Sequence, residues 1–86
     1  MGRKASQIRE QARRSPTNVR FQDLCKLVEA LGYVKRRQVG SHRVFTHPRR
    51  PELPMVNLQA DGATAKPYQV RQILRLIEEH NLEVES

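Results

Sequence analysis

The sequence predicts an α+β domain in which two helices cover one face of a three-stranded antiparallel sheet, preceded by an accessory helix. Apolar residues recur with helical spacing near the middle of the chain and again towards its C-terminal end. Between those segments lie three short alternating stretches, two of them separated only by a Gly-Ser pair. This order of predicted helices and strands contains neither a Rossmann-type crevice nor a Gly-rich phosphate loop.

The helices are predicted from apolar spacing and from cap residues. The accessory helix spans Lys4–Arg14, and its thin apolar stripe indicates that it needs another surface to pack against. The second helix begins at Phe21 and runs about three turns up to Gly32, which suits a left-handed cap. The last helix has Lys66 as its N-cap and Pro67 at its first position, followed by a second apolar stripe.

The strands are predicted from alternation. Tyr33–Val39 and His42–His47 form a hairpin, and Met55–Gln59 gives the third strand, with a loop after it. In the second strand Val44 and Phe45 lie on opposite faces, so the period leaves open which of them is buried. Three basic residues of the first strand are expected to lie partly on the face that the helices leave open: Lys35, Arg36 and Arg37.

The chain is basic, and its charge is segregated. Its 86 residues allow one small domain plus at most a tail, with a net charge of +7. Residues 1–20 carry +5, residues 21–66 carry +4 and residues 67–86 carry −2, a distribution typical of binding to a phosphate polymer. No apolar run reaches membrane-spanning length, and residues 1–14 lack the apolar segment of a signal peptide. With the lone Cys25 among apolar helix positions, we expect a cytoplasmic protein in a reducing compartment.

Gly40-Ser41-His42 is the most informative motif. An imidazole gives and takes protons near neutral pH, and here it follows a flexible pair in cationic surroundings. From the residues alone two interpretations stay open: His42 is a general acid or base acting on a phosphate polymer, or it closes a turn. Zinc is not expected, since His42, His47 and Cys25 provide too few ligands. Ser41 has no base and acid partner for a hydrolase triad.

Four segments of this chain resemble the HicA-type toxins of bacterial toxin–antitoxin systems, over about Val19–Ile77. The order of a Gly-Ser-His element, an aromatic residue and His-Pro carries most of the resemblance. In chain order the segments are Asp23–Tyr33, Gln38–His42, Phe45–Pro48, and Lys66-Pro67 with the helical Arg71–Leu74 behind it.

The resemblance implies an α-β-β-β-α fold like that of double-stranded-RNA-binding domains, and a ribosome-independent mRNA endoribonuclease. It implies an antitoxin of the HicB type that covers the active site, and it assigns the family's catalytic histidine to His42. We therefore expect a basic extension with a short helix (1–18), a HicA-like RNA-binding and ribonuclease domain (19–82) and an acidic tail (83–86).

The chain departs from the family pattern in three places. Met1–Asn18 extends beyond the minimal toxin. Asn57-Leu58-Gln59 stands where Pro-x-His-Gly is more usual, and Tyr68-Gln69 stands where Gly-Thr is common.

A lone histidine can suffice to cut RNA, because the ribose 2′-OH is an internal nucleophile. His42 could take the 2′-OH proton or protonate the leaving 5′-oxygen. Nearby cations could stabilise the phosphorane oxygens, and the candidates are Arg37, Arg43 and Lys66. We expect single-stranded mRNA as substrate, no metal or other cofactor, and a 2′,3′-cyclic phosphate product. The predicted RNA-binding residues are Lys35, Arg36, Arg37, Gly40, Ser41, Arg43 and Lys66.

His47, before Pro48, is expected to be structural, and His80 to be solvated. With two Phe and two Tyr, backbone and shape contacts should outweigh base stacking. The alternatives are a non-catalytic module for structured RNA, a DNA-binding winged helix, and a degenerate toxin that acts as a regulatory partner.

Overall fold

The computed structural model describes residues 4–84. Over that range it contains three helices and one four-stranded antiparallel sheet, which confirms the α+β class. The strand order in the sheet is the chain order, and each strand is antiparallel to the next. The elements are α1 (Ala5–Arg14), α2 (Phe21–Ala30), β1 (Val34–Val39), β2 (His42–Thr46), β3 (Val56–Asp61), β4 (Thr64–Ala65) and α3 (Pro67–His80).

The fourth strand corrects the prediction of a three-stranded sheet followed by a loop. Only Thr64–Ala65 forms it, paired with the end of β3. Two residues are too few to show an alternation, so no period in the sequence could indicate this strand. The N–H of Ala65 donates to the carbonyl of Val19 at 2.8 Å, and the N–H of Phe21 donates to the carbonyl of Ala63 at 3.0 Å. The start of α2 is therefore fixed against this edge of the sheet.

The end of α2 follows the predicted cap. Gly32 has φ +104°, the left-handed side of the map that glycine favours. The N–H groups of Gly32 and Tyr33 donate to the carbonyls of Glu29 and Val28, at 3.0 and 3.4 Å. This pair of bonds is the Schellman motif. α3 also begins as predicted, with its N-cap directly before a Pro at the first position.

One hydrophobic cluster joins all three helices to one face of the sheet. Phe45, rather than Val44, is the buried neighbour in β2, and it shares its face with Val56 and Leu58. α1 contributes Ile8, which is fully buried, so the accessory helix has the packing surface that its thin stripe requires. In the part of the chain that the structure describes, no helix is both long and apolar enough to cross a bilayer.

Candidate nucleic-acid interface

Alternate residues of β1, β2 and β3 form the sheet face that no helix covers, which we call the open face. Residues paired across an antiparallel ladder share a face. His42 pairs with Val39 on one side and with Gln59 on the other. Because Phe45 faces the helices, the alternate residues of β2 that begin with His42 face away from them. His42 therefore lies on the open face.

Two arginines of β1 reach the open face because the strand contains a β-bulge. The register shifts between Lys35 and Arg37, which leaves Arg36 as the extra residue. Arg37 pairs with Val44, a residue of the open face, and Nε of Arg36 donates to Oγ1 of Thr46 at 2.8 Å. Strict alternation would send two consecutive side chains to opposite faces. The bulge thus doubles the positive charge that β1 brings to the open face.

His42 is exposed in a cleft of about 320 Å³ at one end of the open face. Among residues 4–84 its ring makes no hydrogen bond, so both ring nitrogens are available to a bound molecule. We call this space the His42 cleft. It is lined by His42, Met55, Asn57, Gln59, Tyr68, Gln69 and Gln72.

Lys66 and Gln69 connect the start of α3 to this cleft. Nζ of Lys66 donates to Oε1 of Gln59 at 3.1 Å, and Gln59 is the residue paired with His42. Gln69 is 5% exposed; its Oε1 accepts the N–H of Gln59 at 3.1 Å, and its Nε2 donates to the carbonyl of Asn57 at 3.5 Å. The side-chain amide of Gln69 therefore continues the ladder where β4 ends and fixes one wall of the cleft.

Arg43 lies on the helix side of the sheet. Its guanidinium carbon is 5.0 Å from the centroid of the Phe21 ring, and its Nη1 is 3.6 Å from Sγ of Cys25. Consecutive residues of a strand point to opposite faces, so the structure does not bring Arg43 and His42 together. Burial raises the pKa of the Cys25 thiol, and the positive charge of Arg43 partly offsets that shift.

Gly40 and Ser41 line, together with Arg43, a second cavity of about 430 Å³ beside the start of α2. Gly40 has φ +58° at the first position of the two-residue turn, as a type II′ hairpin turn requires. Lys35 also belongs to the helix side, because it pairs with the buried Phe45. The structure thus separates the eight predicted site residues, and their roles stay predictions. Arg36, Arg37, His42 and Lys66 are on or beside the open face; Lys35, Gly40, Ser41 and Arg43 are on the helix side or in the turn.

His47 is held at both ring nitrogens. It is 8% exposed, its Nδ1 accepts the N–H of Arg50 at 3.2 Å, and its Nε2 lies 3.0 Å from the carbonyl oxygen of Leu31. Since Nδ1 accepts, the hydrogen bonds assign the proton to Nε2, which donates to Leu31. The ring also meets Tyr33 edge to face, with centroids 5.2 Å apart. These contacts support a structural role for His47.

Sequence reasoning missed the residues that form the rest of the His42 cleft, although a signal for them was present. The segments at which the chain departs from the HicA pattern are Asn57–Gln59 and Tyr68-Gln69. Four of those five residues line the cleft, and the fifth, Leu58, is in the core. Met55 and Gln72 carried no such signal. The two segments meet only because α3 begins beside β3, which the sequence pattern does not encode.

Fold and site together define a small basic α+β protein with an exposed histidine and several cations on an uncovered sheet face. A family model described as the HicA toxin of bacterial toxin–antitoxin matches residues 21–78, which span the whole sheet but not α1. This match covers 58 of the 86 residues, and the chain therefore belongs to the HicA toxin family. HicA toxins are ribonucleases, and a toxin of this kind implies a cognate antitoxin. Searches of curated proteins and of solved structures gave no match.

Proposed function

We propose that this chain cleaves single-stranded mRNA by His-dependent acid–base catalysis, without a metal ion or other cofactor. The observation that supports it best is the His42 cleft, in which an exposed imidazole is paired across the sheet with Gln59, the residue that accepts a hydrogen bond from the Lys66 ammonium. Arg36 and Arg37 extend positive charge along the same face. A phosphodiester chain could therefore follow the open face towards His42.

The chemistry needs two proton transfers. The 2′-oxygen attacks the adjacent phosphorus, the O2′–P bond forms as the P–O5′ bond breaks, and the products are a 2′,3′-cyclic phosphate and a 5′-OH. His42 would remove the 2′-OH proton or deliver one to O5′, a contribution of roughly 10²- to 10⁴-fold. Solvent water would exchange the other proton in the exposed cleft. Lys66 and Arg37 would stabilise the charge that builds on the phosphorane oxygens.

The proposal includes a HicB-like antitoxin that covers the open face. Val34 and Val39 of β1 are 41% and 63% exposed, next to the two arginines of the same strand. A partner with acidic groups around an apolar centre would complement that surface. A cytoplasmic location follows from an mRNA substrate. The likeness to double-stranded-RNA-binding domains is also part of the proposal, supported by the order α2-β1-β2-β3-α3 once the two-residue β4 is set aside.

The test is cleavage of an end-labelled mRNA by the wild type and by His42→Ala, with and without EDTA. We expect the wild type to cut in EDTA and to leave 2′,3′-cyclic phosphate ends. His42→Ala should cut at least about 100-fold more slowly while it keeps its RNA affinity. Products with 5′-phosphate ends that form only with Mg²⁺ would contradict the mechanism.

His80→Ala is the matched control, because His80 lies at the C-terminal end of α3 and does not line the His42 cleft. It should cut at the wild-type rate. If the wild type binds RNA but neither the wild type nor His80→Ala cuts it, the result favours the non-catalytic RNA-binding module over the ribonuclease. A salt-titrated comparison of single-stranded RNA, duplex RNA and duplex DNA separates the winged-helix alternative, which requires duplex DNA to bind best.

A further inference from the structure

We infer that the His42 cleft holds a nucleobase-binding subsite, with Tyr68 as its stacking platform. This inference rests on the proposed ribonuclease function and adds to it a source of sequence preference. The subsite would take the base next to the scissile phosphate, because its walls and His42 line one cavity of about 320 Å³. A ribose whose 2′-OH lies at His42 carries its own base only a few bonds away.

Tyr68 has the properties of a base platform. It stands in the first turn of α3 and is 60% exposed although it is aromatic. The other tyrosine, Tyr33, is 2% exposed, so burial in the core accounts for that ring and does not account for the ring of Tyr68. Met55, also 61% exposed, lines the same cleft and offers a polarisable apolar surface. Exposed aromatic side chains stack on bases of single-stranded nucleic acids.

Neutral amides supply the polar part of the subsite. The side chains of Asn57 and Gln72 line the cleft and make no hydrogen bond among residues 4–84. An amide presents a donor and an acceptor side by side, which matches the edge of a base. The amide group of Gln59 is partly committed, since its Oε1 accepts the Lys66 ammonium at 3.1 Å. The positive charge of Lys66 thus lies beside the amide groups that would bind the base, on the side where the phosphate of the same nucleotide would be.

The platform stands on a fixed support, which base recognition needs. The neighbouring Gln69 is buried and bonded through both ends of its amide to the backbone of β3. Its Nε2 also lies 3.5 Å from the Tyr68 hydroxyl. The start of α3, and with it Tyr68, is therefore tied to the strand that pairs with His42. A chain with two Phe and two Tyr favours backbone contacts over base stacking as the main means of binding, yet a single base needs only one ring.

The first experiment compares cleavage by wild type, Tyr68→Ala and Tyr68→Phe on a randomised RNA library. We expect Tyr68→Ala to raise KM by roughly 5- to 100-fold, with kcat within about threefold. Its cut sites should lose base preference on one side of the cleaved bond. Tyr68→Phe keeps the ring and should keep both KM and preference. Because Tyr68 is exposed, all three proteins should unfold at the same denaturant concentration.

The second experiment does not depend on cleavage. The inactive His42→Ala protein, with and without Tyr68→Ala, is titrated with a short oligoribonucleotide and with versions in which one base is replaced by an abasic ribose. At one position, loss of the base should weaken binding roughly 5- to 100-fold when Tyr68 is present. The same loss should leave binding unchanged in the protein that also carries Tyr68→Ala, because the ring that the base stacks on has been removed.

The two experiments fail in distinguishable ways. If wild type does not cut RNA but the coupling between Tyr68 and one base is found, the proposed catalytic function falls and the subsite stands. If wild type cuts with His42 dependence and no position couples to Tyr68, the subsite is overturned alone. In that case the exposed tyrosine and methionine would instead belong to the surface that a protein partner covers.

Discussion

The two histidines at the ends of β2 have opposite environments. His42 opens the strand, exposed and with a free ring among residues 4–84, whereas His47 directly follows the last strand residue and is 8% exposed. The same side chain occurs twice within six residues of one basic segment. What differs is the neighbouring backbone: a carbonyl from Leu31 and an N–H from Arg50 occupy the ring of His47. One end of β2 is thus available for chemistry, and the other holds the fold.

A glycine accompanies each histidine, and the two glycines differ in the same way. A Cβ on Gly32 would lie 2.5 Å from Nε2 of His47, a distance that forces the ring to move. A Cβ on Gly40, near His42, would meet nothing within 4 Å. Gly32 is therefore needed for space as well as for its φ of +104°, and Gly40 only for its φ of +58°. Substitutions at these four positions measure how far the two ends of β2 differ.

The largest effect on stability is expected for His47→Ala. The change leaves the carbonyl of Leu31 and the N–H of Arg50 without their partner and removes the edge contact with Tyr33. Each unsatisfied buried group costs about 1–3 kcal/mol, so we expect a loss of about 2–4 kcal/mol. Urea unfolding followed by far-UV circular dichroism measures it.

His42→Ala is the matched control for this prediction, because its ring is exposed and free of hydrogen bonds within residues 4–84. Its free energy of unfolding should stay within about 0.5 kcal/mol of the wild type. At a temperature where His47→Ala remains folded, that variant should still cut RNA. Equal unfolding midpoints for the two variants would remove the distinction between the ends of β2.

The elements of the fold were more predictable than the site. Helical spacing located all three helices, because each buries an apolar stripe long enough to show its period. Alternation together with the Gly-Ser turn located β1, β2 and β3, although all six residues of β1 are exposed. The bulge that brings Arg36 to the open face is one residue and leaves no period. Arg43 is adjacent to His42 in the sequence, yet strand geometry sends it to the Cys25 side. The link from Gln69 to the backbone of β3 is a side-chain contact between elements, and no local pattern encodes it.

A smaller loss of stability is expected for Gly32→Ala than for His47→Ala. An L side chain at φ +104° is strained by about 1–3 kcal/mol, and the new Cβ also pushes the His47 ring away from Leu31. Gly40→Ala should cost about 1–2 kcal/mol, because the positive φ is its sole penalty and the new Cβ meets no neighbour. Chemical denaturation of both variants gives the difference.

The double variant Gly32→Ala with His47→Ala identifies the cause of that difference. Once the ring is gone the Cβ has room, so the two losses should sum to more than the loss measured for the pair. Only the backbone strain at Gly32 would remain to be added. Strict additivity would mean that Gly32 and His47 do not share the contact, and that φ alone sets the need for glycine.

The smallest expected effect is a dependence of stability on alkaline pH that belongs to the buried side of the molecule. Burial raises the pKa of the Tyr33 phenol, which packs against His47, and Arg50 partly offsets the shift. Burial also raises the pKa of the Cys25 thiol. The folded state holds these protons more tightly than the unfolded chain does, so the contribution of each group to stability is fully present below its pKa in the unfolded chain. That contribution is lost as the pH rises through the pKa of the folded state. The decline begins above about pH 8.5 for the thiol and above about pH 10 for the phenol.

Cys25→Ala and Tyr33→Phe test that decline. Each variant has its own loss at pH 7, and Tyr33→Phe also gives up a 2.9 Å hydrogen bond to the carbonyl of Pro54, so the slope against pH must be compared and not the absolute value. Free energies of unfolding measured from about pH 8 to about pH 11.5 should fall less steeply in each variant than in the wild type, above about pH 8.5 for Cys25→Ala and above about pH 10 for Tyr33→Phe. A slope equal to that of the wild type in both would mean that neither proton is held by burial. The packing around His47 and beneath Arg43 would then be looser than the contacts of Tyr33 and Cys25 indicate.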